Sequence, residues 1–184
     1  MRAEPTFEGG TVWITGLPGS GKTTLADAVR RELSGDGRPT CVLDGDQLRS
    51  GLSSDLGLSR DDRAEQARRG AHVARLISRS GIVAIVALVS PYAEDRKRAR
   101  ETHDGLEFLE VWVDTPLSVC EQRDPKGLFR RARSGELSGL TGIDSPYELP
   151  TAPDVTVRGY GVQPAVAAAE VIAAFDAQRA RSRS

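Results

Sequence analysis

The chain is poor in residues that build disulfide frameworks and multi-ligand metal sites. Its 184 residues include two cysteines and two histidines. Cys41 and Cys120 are far apart, which disfavours a zinc site or a disulfide-stapled fold, so we expect reduced thiols and a cytoplasmic protein. We expect His72 at the edge of the core or on the surface, and His103 on the surface. Neither histidine suggests a Ser-His-Asp triad.

Long apolar segments and an excess of charge of one sign are also missing. The longest apolar run, residues 82–89, is far too short to span a bilayer, and the first residues lack the apolar core of a signal peptide. Twenty-five basic and 26 acidic residues give a net charge of −1. This balance argues against nucleic acid as a partner, because binding many phosphates needs a basic surface. We therefore expect neither nucleic acid nor a membrane as a partner.

Short apolar strands alternate with helical segments along the chain. Strands are predicted at residues 11–15, 40–43, 82–89, 108–113 and 155–157. Helices are predicted at residues 24–33, 47–52, 61–79, 93–101, 116–123 and 162–180. The alternation predicts an α/β fold in one domain, residues 10–178, with a central parallel sheet and helices on both faces. Residues 1–9 are predicted as a flexible lead-in and residues 179–184 as a flexible tail.

A phosphate-binding signature lies between the first strand and the first helix. Residues 16–23 read G-x-x-x-x-G-K-T, the P-loop pattern. Its glycines let backbone N–H groups approach phosphate oxygens, and the positive end of the following helix dipole faces the same anion. Lys22 reaches the β- and γ-phosphates and the Thr23 hydroxyl holds Mg²⁺. The predicted nucleotide-binding residues are Gly16, Gly19, Ser20, Gly21, Lys22, Thr23 and Thr24.

Charged residues follow the later strands. Ligands of parallel α/β folds bind at the carboxyl ends of strands. The P-loop, residues 44–46, residues 90–92 and Asp114 should therefore face one crevice. Asp44 and Asp46 suit a metal environment and a proton acceptor, although Asp-Gly is also a common turn pair. Residues 124–150 are basic and Gly-rich and lack a core pattern, which suggests a mobile lid at about residues 122–148; a solvated helix is the alternative.

The motifs together resemble the adenylylsulfate (APS) kinase family. Beyond the P-loop, the residues that carry the resemblance are LDGDQLR at 43–49, Asp62-Arg63, Ser90-Pro91-Tyr92, RDPKGL at 123–128 and TGIDSPYELP at 141–150. They occur in order between about residues 9 and 158. The resemblance implies a three-layer P-loop kinase fold with a lid, ATP as phosphoryl donor, Mg²⁺, and usually a homodimer. It also implies transfer of the γ-phosphoryl group to the 3′-hydroxyl of adenylyl sulfate, which gives 3′-phosphoadenylyl sulfate.

The resemblance also assigns roles to individual residues. Asp46 is implied as the proton acceptor, with Lys22 and Lys126 as the other catalytic residues. Lys126 would stabilise the transferring phosphoryl group from the lid. Thr23 and Asp44 are implied at the metal. The acceptor would be bound by Asp44, Arg49, Leu58, Arg63, Gln66, Ser90, Lys126 and Leu140, among which Arg49 and Arg63 would hold the phosphosulfate group.

The departures from the family pattern are mostly on the acceptor side. The family usually has phenylalanines, which sandwich the adenine, where this chain has Leu58 and Leu140. Gln47 and Gln66 stand where the family has Asn, and Pro18 replaces a P-loop Ser. Stacking of a base on an aromatic ring contributes about 1–3 kcal/mol. Loss of both rings would weaken APS binding by roughly one to three orders of magnitude.

Three functional hypotheses follow from the sequence. The first is APS kinase with leucines in place of the stacking pair. The second keeps the kinase chemistry but phosphorylates a hydroxyl of another nucleoside or nucleotide in a specialised biosynthetic route. The third is a nucleotide-binding regulator without phosphoryl transfer, against which the intact Lys22, Thr23, Asp44, Asp46 and Lys126 argue.

Overall fold

The computed structural model describes residues 9–182 and contains five strands and seven helices in that range. The strands are β1 (Gly10–Thr15), β2 (Thr40–Asp44), β3 (Val83–Ala87), β4 (Phe108–Asp114) and β5 (Val155–Arg158). The helices are α1 (Lys22–Gly35), α2 (Gly45–Arg49), α3 (Arg60–Arg79), α4 (Ala93–Thr102), α5 (Leu117–Arg123), α6 (Leu128–Arg133) and α7 (Pro164–Ser182). No helix in the described range is long and apolar enough to cross a membrane.

The strands form one parallel sheet in the order β2-β3-β1-β4-β5. β1 is the central strand, and all six of its residues are buried. β1 and β3 are both interior strands, and parallel strands covered on both faces are apolar throughout. This explains why neither sequence alternates between apolar and polar residues. The predicted α/β fold with a central parallel sheet is confirmed.

Helices cover both faces of the sheet. α1 and α7 pack on one face, where Val29, Leu33 and Phe175 join the inward residues of the strands. α3 and α4 cover the other face, where the buried alanines of α3 pack against Trp13. Ser59 begins α3 with a reciprocal capping box to Asp62. The two helix layers hold the sheet in place, and the site lies at the ends of its strands.

Several predicted boundaries and environments were wrong. α7 continues to Ser182, so the helix includes residues 179–182 that were predicted as a tail. Of the lead-in predicted at residues 1–9, positions 1–8 lie outside the described residues. Gly9 is buried against Ser78 and Ile82. His103 is 1% exposed, not on the surface, because its ring packs on Phe108 and its Nδ1 lies 2.7 Å from the Ala99 carbonyl oxygen.

The lid contributes to a small apolar cluster, which we call the lid core, contrary to the prediction that residues 124–150 lack a core pattern. Phe129 and Leu140 pack with Cys120, and six further apolar residues surround them. Four glycines of this segment, at positions 127, 135, 139 and 142, adopt positive φ angles between 65° and 96°. Glycine adopts this conformation without steric cost. The segment therefore packs on the P-loop and α5 through this cluster, and its turns use these glycines.

Candidate active site

A large cavity lies at the carboxyl ends of β1, β2 and β3. Its volume is about 740 Å³, and P-loop, lid and strand-end residues line it together. The predicted site residues that line it are Gly19, Gly21, Lys22, Thr23, Thr24, Asp44, Asp46, Arg49, Leu58, Arg63, Gln66, Ser90, Lys126 and Leu140. This volume is typical of a pocket for small organic ligands.

Gly16 and Ser20 are the predicted site residues that do not line the cavity. Both are buried within the P-loop, where a Cβ on Gly16 would lie 2.7 Å from the Ser20 Oγ atom. Tyr92 and Asp114 were expected at the crevice and do not line it either. Tyr92 is instead buried beneath the Arg60 guanidinium group, which lies 3.7 Å from its ring centre.

The P-loop presents the start of α1 to the cavity. Gly21 caps this helix with a φ of 107° and without a side-chain hydrogen bond, and the first turn carries no acidic residue. The first N–H groups of α1 therefore have no competing carboxylate from their own turn. Such a helix start attracts phosphate through its N–H groups and its dipole.

Lys22 lies folded into the P-loop. Its Nζ donates to the Leu17 carbonyl oxygen at 2.7 Å, and the residue is 9% exposed. Burial lowers the pKa of Lys22 to about 8, against the smaller opposing effects of Cys120 and Asp44. A buried cation with one carbonyl partner is poised to bind an anion, because the anion would replace the solvation that burial removes.

Asp44 connects the end of β2 to the P-loop. Its Oδ2 accepts a hydrogen bond from the Thr23 hydroxyl at 2.7 Å, and its Oδ1 accepts one from the Asp46 amide at 2.9 Å. The second bond caps α2. Asp46 is exposed, and its carboxylate forms an ion pair with the Lys126 ammonium group from the lid. Acidic, hydroxyl and cationic groups therefore meet at one edge of the cavity.

Two arginines that line the cavity bind backbone carbonyl groups of its wall. Arg49 donates from Nη1 to the carbonyl oxygens of Leu56 and Gly57 at 3.1 and 2.7 Å. Arg63 donates from Nε to the Leu58 carbonyl and from Nη2 to the Gly139 carbonyl, at 3.1 and 2.6 Å. Both guanidinium groups therefore bind backbone at this wall, and Arg63 ties it to the lid.

Gln66 and Ser90 have partners of their own within the wall. Gln66 donates from Nε2 to the Gly45 carbonyl at 3.1 Å. The Ser90 hydroxyl accepts from the indole N–H of Trp13 at 3.1 Å and donates to the Leu88 carbonyl at 3.2 Å. Ser90 also has a φ of 36°, which is uncommon for a residue other than glycine. These bonds hold the two side chains in fixed positions at the cavity.

Leu58 and Leu140 both line the cavity but differ in burial. Leu58 is half-buried, whereas Leu140 is 2% exposed and packs in the lid core with Phe129. The two chain segments approach closely, since a Cβ on Gly139 would lie 3.5 Å from the Leu58 Cβ. The two leucines therefore give this part of the cavity an aliphatic wall.

Sequence reasoning assigned no role to three residues that hold the P-loop from behind, although one of them, Arg123, belongs to the RDPKGL motif. The Thr115 hydroxyl donates to the Ser20 carbonyl at 2.9 Å. Arg123 donates to the Gly159 carbonyl at 2.7 Å and, at 3.3 and 3.4 Å, to the carbonyls of Gly19 and Ser20. A Cβ on Gly159 would lie 2.3 Å from the Ser20 carbonyl oxygen. The glycine after an edge strand was the only available sequence signal for this close approach.

Comparison with known proteins identifies the family. A family model described as adenylylsulphate kinase matches residues 8–158. The adenylyl-sulfate kinase of Geotalea daltonii is 56% identical over 147 residues, which cover 80% of this chain and 72% of the relative.

Solved structures agree with this relationship. An APS kinase of Mycobacterium tuberculosis, solved in complex with AMPPNP and APS, is 48% identical with a TM-score of 0.90. The match covers 92% of this chain and 99% of that one. A hexameric APS kinase from Thiobacillus denitrificans is 30% identical with a TM-score of 0.70, over 94% of this chain and 29% of the other. The chain belongs to the adenylylsulfate kinase family.

Proposed function

We propose that this kinase transfers the γ-phosphoryl group of ATP to the 3′-hydroxyl of adenylyl sulfate. The observation that carries the proposal is the meeting of Lys22, Asp46 and Lys126 at one cavity, in a chain of this family. Phosphoryl transfer needs little covalent participation from the protein. Positioning of the two substrates and neutralisation of developing charge account for most of the catalysis.

ATP binds with its phosphates on the P-loop in this proposal. The N–H groups at the start of α1 and the Lys22 ammonium group bind the phosphate oxygens. Lys22 leaves the Leu17 carbonyl to do so, which exchanges a neutral partner for an anionic one. Arg123, bound to the Gly19 carbonyl of the P-loop and to the Gly159 carbonyl, keeps the loop in position.

The residues at the P-loop fit a magnesium ion. The Thr23 hydroxyl and an Asp44 carboxylate oxygen are 2.7 Å apart. Mg²⁺ in kinases is bound by one or two protein oxygens together with substrate phosphates and waters. Within residues 9–182 no group of three or more His, Cys, Asp or Glu side chains could hold a metal. When bound, Mg²⁺ neutralises phosphate charge; Thr23 and Asp44 would hold it.

The acceptor lies between α2, α3 and the lid. Asp46 accepts the proton of the attacking hydroxyl, and Lys126 moves from Asp46 to the transferring phosphoryl group. Guanidinium N–H groups of Arg49 and Arg63 that do not bind backbone hold the phosphosulfate group. Leu58, Gln66, Ser90 and Leu140 form the remaining walls of the acceptor site, where the leucines contact the base.

Turnover with defined substrates tests the function. Purified protein with ATP, Mg²⁺ and micromolar APS should form ADP and 3′-phosphoadenylyl sulfate in equal amounts, and Lys22→Ala should abolish both. Labelled ATP offered with other nucleosides and nucleotides serves as the comparison panel. Transfer to one of these in preference to APS would refute the proposed acceptor. Folded protein that binds ATP but phosphorylates none of them would refute the kinase activity.

We further propose that the kinase is a cytoplasmic homodimer. The reduced-thiol environment expected from two cysteines supports the location, and both cysteines are free in the structure. The family resemblance supports the dimer, although the Thiobacillus denitrificans relative is described as hexameric. Light scattering after size exclusion should give twice the mass of the chain; a mass of one or six chains would contradict this assembly.

A further inference from the structure

Arg96 is a buried cation in the charged helix α4. It is 3% exposed, whereas the neighbouring Arg98 is exposed and pairs with Glu94. The Nε atom of Arg96 donates to Glu110 of the sheet at 3.1 Å. A buried guanidinium group is stabilised only where its charge and its donors are satisfied.

The two remaining nitrogens of Arg96 bind two separate segments, the loop after β3 and the end of the predicted lid. Nη1 donates to the Ser90 carbonyl at 2.9 Å, and Nη2 donates to the Glu148 carbonyl at 2.8 Å. Ser90 lines the cavity and has its unusual positive φ, so its carbonyl must be held in place. Glu148 is the last residue of the predicted lid.

Further bonds attach the end of the lid to the same loop. The Glu148 amide donates to the Pro91 carbonyl at 2.8 Å, and its carboxylate accepts from the Ala93 amide at 2.7 Å. Thr15 uses its hydroxyl hydrogen on the Val89 carbonyl, so the Tyr147 hydroxyl, 2.9 Å away, donates to Thr15. The end of the lid is therefore fixed to the loop after β3.

We propose that Arg96 is a positioning residue, which sets the acceptor wall at Ser90 and the fixed end of the lid relative to each other. Arg96 does not line the cavity itself. A planar guanidinium group is required because the two carbonyls lie on separate segments and each accepts from a different Nη atom. A lysine, with one nitrogen, could not donate to both in this geometry. Its loss would displace the acceptor wall and lid end together, while the P-loop would stay intact. The expected effect on APS turnover rests on the proposed function. The coupling, by which Arg96 links the Ser90 loop to the end of the lid, does not.

Arg96→Lys is the informative variant, because it keeps the charge beside Glu110 and removes the planar guanidinium group. Arg98→Lys is the matched control on the same helix. For Arg96→Lys we expect the KM for APS to rise at least tenfold and ATP hydrolysis without transfer to increase. The affinity for ATP should stay within about twofold. A general loss of folding would instead lower all activities in proportion.

Hydrogen exchange gives a readout that does not depend on turnover. Amides of residues 88–90, 92–93 and 147–149 should exchange about tenfold faster in Arg96→Lys than in Arg98→Lys, and those of α1 should not change. Faster exchange in only one of the two segments, or in neither, would overturn the coupling. Failure of the wild type to phosphorylate APS would refute the proposed function, while the exchange data would still decide the coupling.

Discussion

The Lys126 ammonium group and the Asp46 carboxylate form an ion pair between the lid and helix α2. Both side chains are more than half exposed, so the pair itself contributes little to stability. Its importance is positional. The group proposed to accept a proton and the group proposed to stabilise the phosphoryl transfer are already in contact before substrates bind, so substrate binding must separate them.

Asp46→Asn should lower kcat by 10²- to 10⁴-fold, the usual contribution of a general base. The affinity for ATP should change by less than about threefold, because the phosphates bind at the P-loop. Asp61→Asn, which removes an exposed carboxylate at the start of α3, is the control and should behave as wild type. Steady-state kinetics and ATP titration provide the two measurements. A kcat within a factor of five of wild type would exclude Asp46 as the base.

Leu58→Phe should lower the KM for APS by roughly five- to 100-fold, since one stacked aromatic ring contributes about 1–3 kcal/mol. Leu58 is half-buried at the cavity, so a larger ring has room to turn towards the base. Leu52→Phe, at a position 49% exposed, is the control and should leave the KM unchanged. An unchanged KM in Leu58→Phe would mean that residue 58 does not contact the base.

Leu140→Phe, in contrast to Leu58→Phe, should destabilise the protein and should not improve APS binding. Leu140 is 2% exposed in the lid core, where added volume costs about 1–3 kcal/mol. We expect a lower midpoint of thermal unfolding and no gain in APS affinity. A variant of wild-type stability that binds APS more tightly would show that the ring reaches the cavity without disturbing the lid.

ATP affinity should fall as the pH rises above about 8. Burial lowers the pKa of Lys22 to about 8 in the free enzyme, whereas bound phosphate favours the protonated form. Below pH 8 the ammonium group is already present, and above it each pH unit should weaken binding by up to tenfold. Calorimetric titration between pH 7 and 9.5 measures this. A dissociation constant that stays flat to pH 9.5 would contradict the depressed pKa.

His103 should make the protein less stable in mild acid. Its burial, with smaller effects of the Arg75 and His72 charges, lowers its pKa below the usual value of 6.5. The unfolded chain therefore takes up the proton at higher pH, and the free energy of unfolding falls as the pH drops below about 6.5. Urea unfolding at pH 7.5 and 5.5 should show a smaller decrease for His103→Gln than for wild type. His72→Gln, at an exposed position, should retain most of the wild-type decrease; equal decreases in all three proteins would refute this role.

The order of strands and helices was predictable because the local sequence patterns agree with the elements that the fold contains. Apolar runs such as residues 83–87 have one environment that suits them, the interior of a parallel sheet. The spacing of the P-loop glycines and of Asp44-Gly45-Asp46 also predicts the local backbone conformation. Most of the predicted site residues therefore line the same cavity.

What could not be predicted depends on contacts between distant segments. Arg96 lies in a run of charged residues that resembles a solvated helix, and only the fold shows that three separate segments surround its guanidinium group. His103 likewise has charged neighbours in sequence but an aromatic ring in space. The lid core joins Phe129 to Leu140 without any helical or strand periodicity.

The packing of Phe175 against the first strand has a consequence for biosynthesis. A Cβ on Gly10 would lie 2.6 Å from the Phe175 ring, so the last helix closes directly on the first strand. The centre of the sheet is thus synthesised first and its covering helix last. During translation the nascent chain can pair its strands, but its core can be sealed only once residue 175 has left the ribosome. We therefore expect a nascent chain that ends before α7 to depend on chaperones more than its small size would suggest.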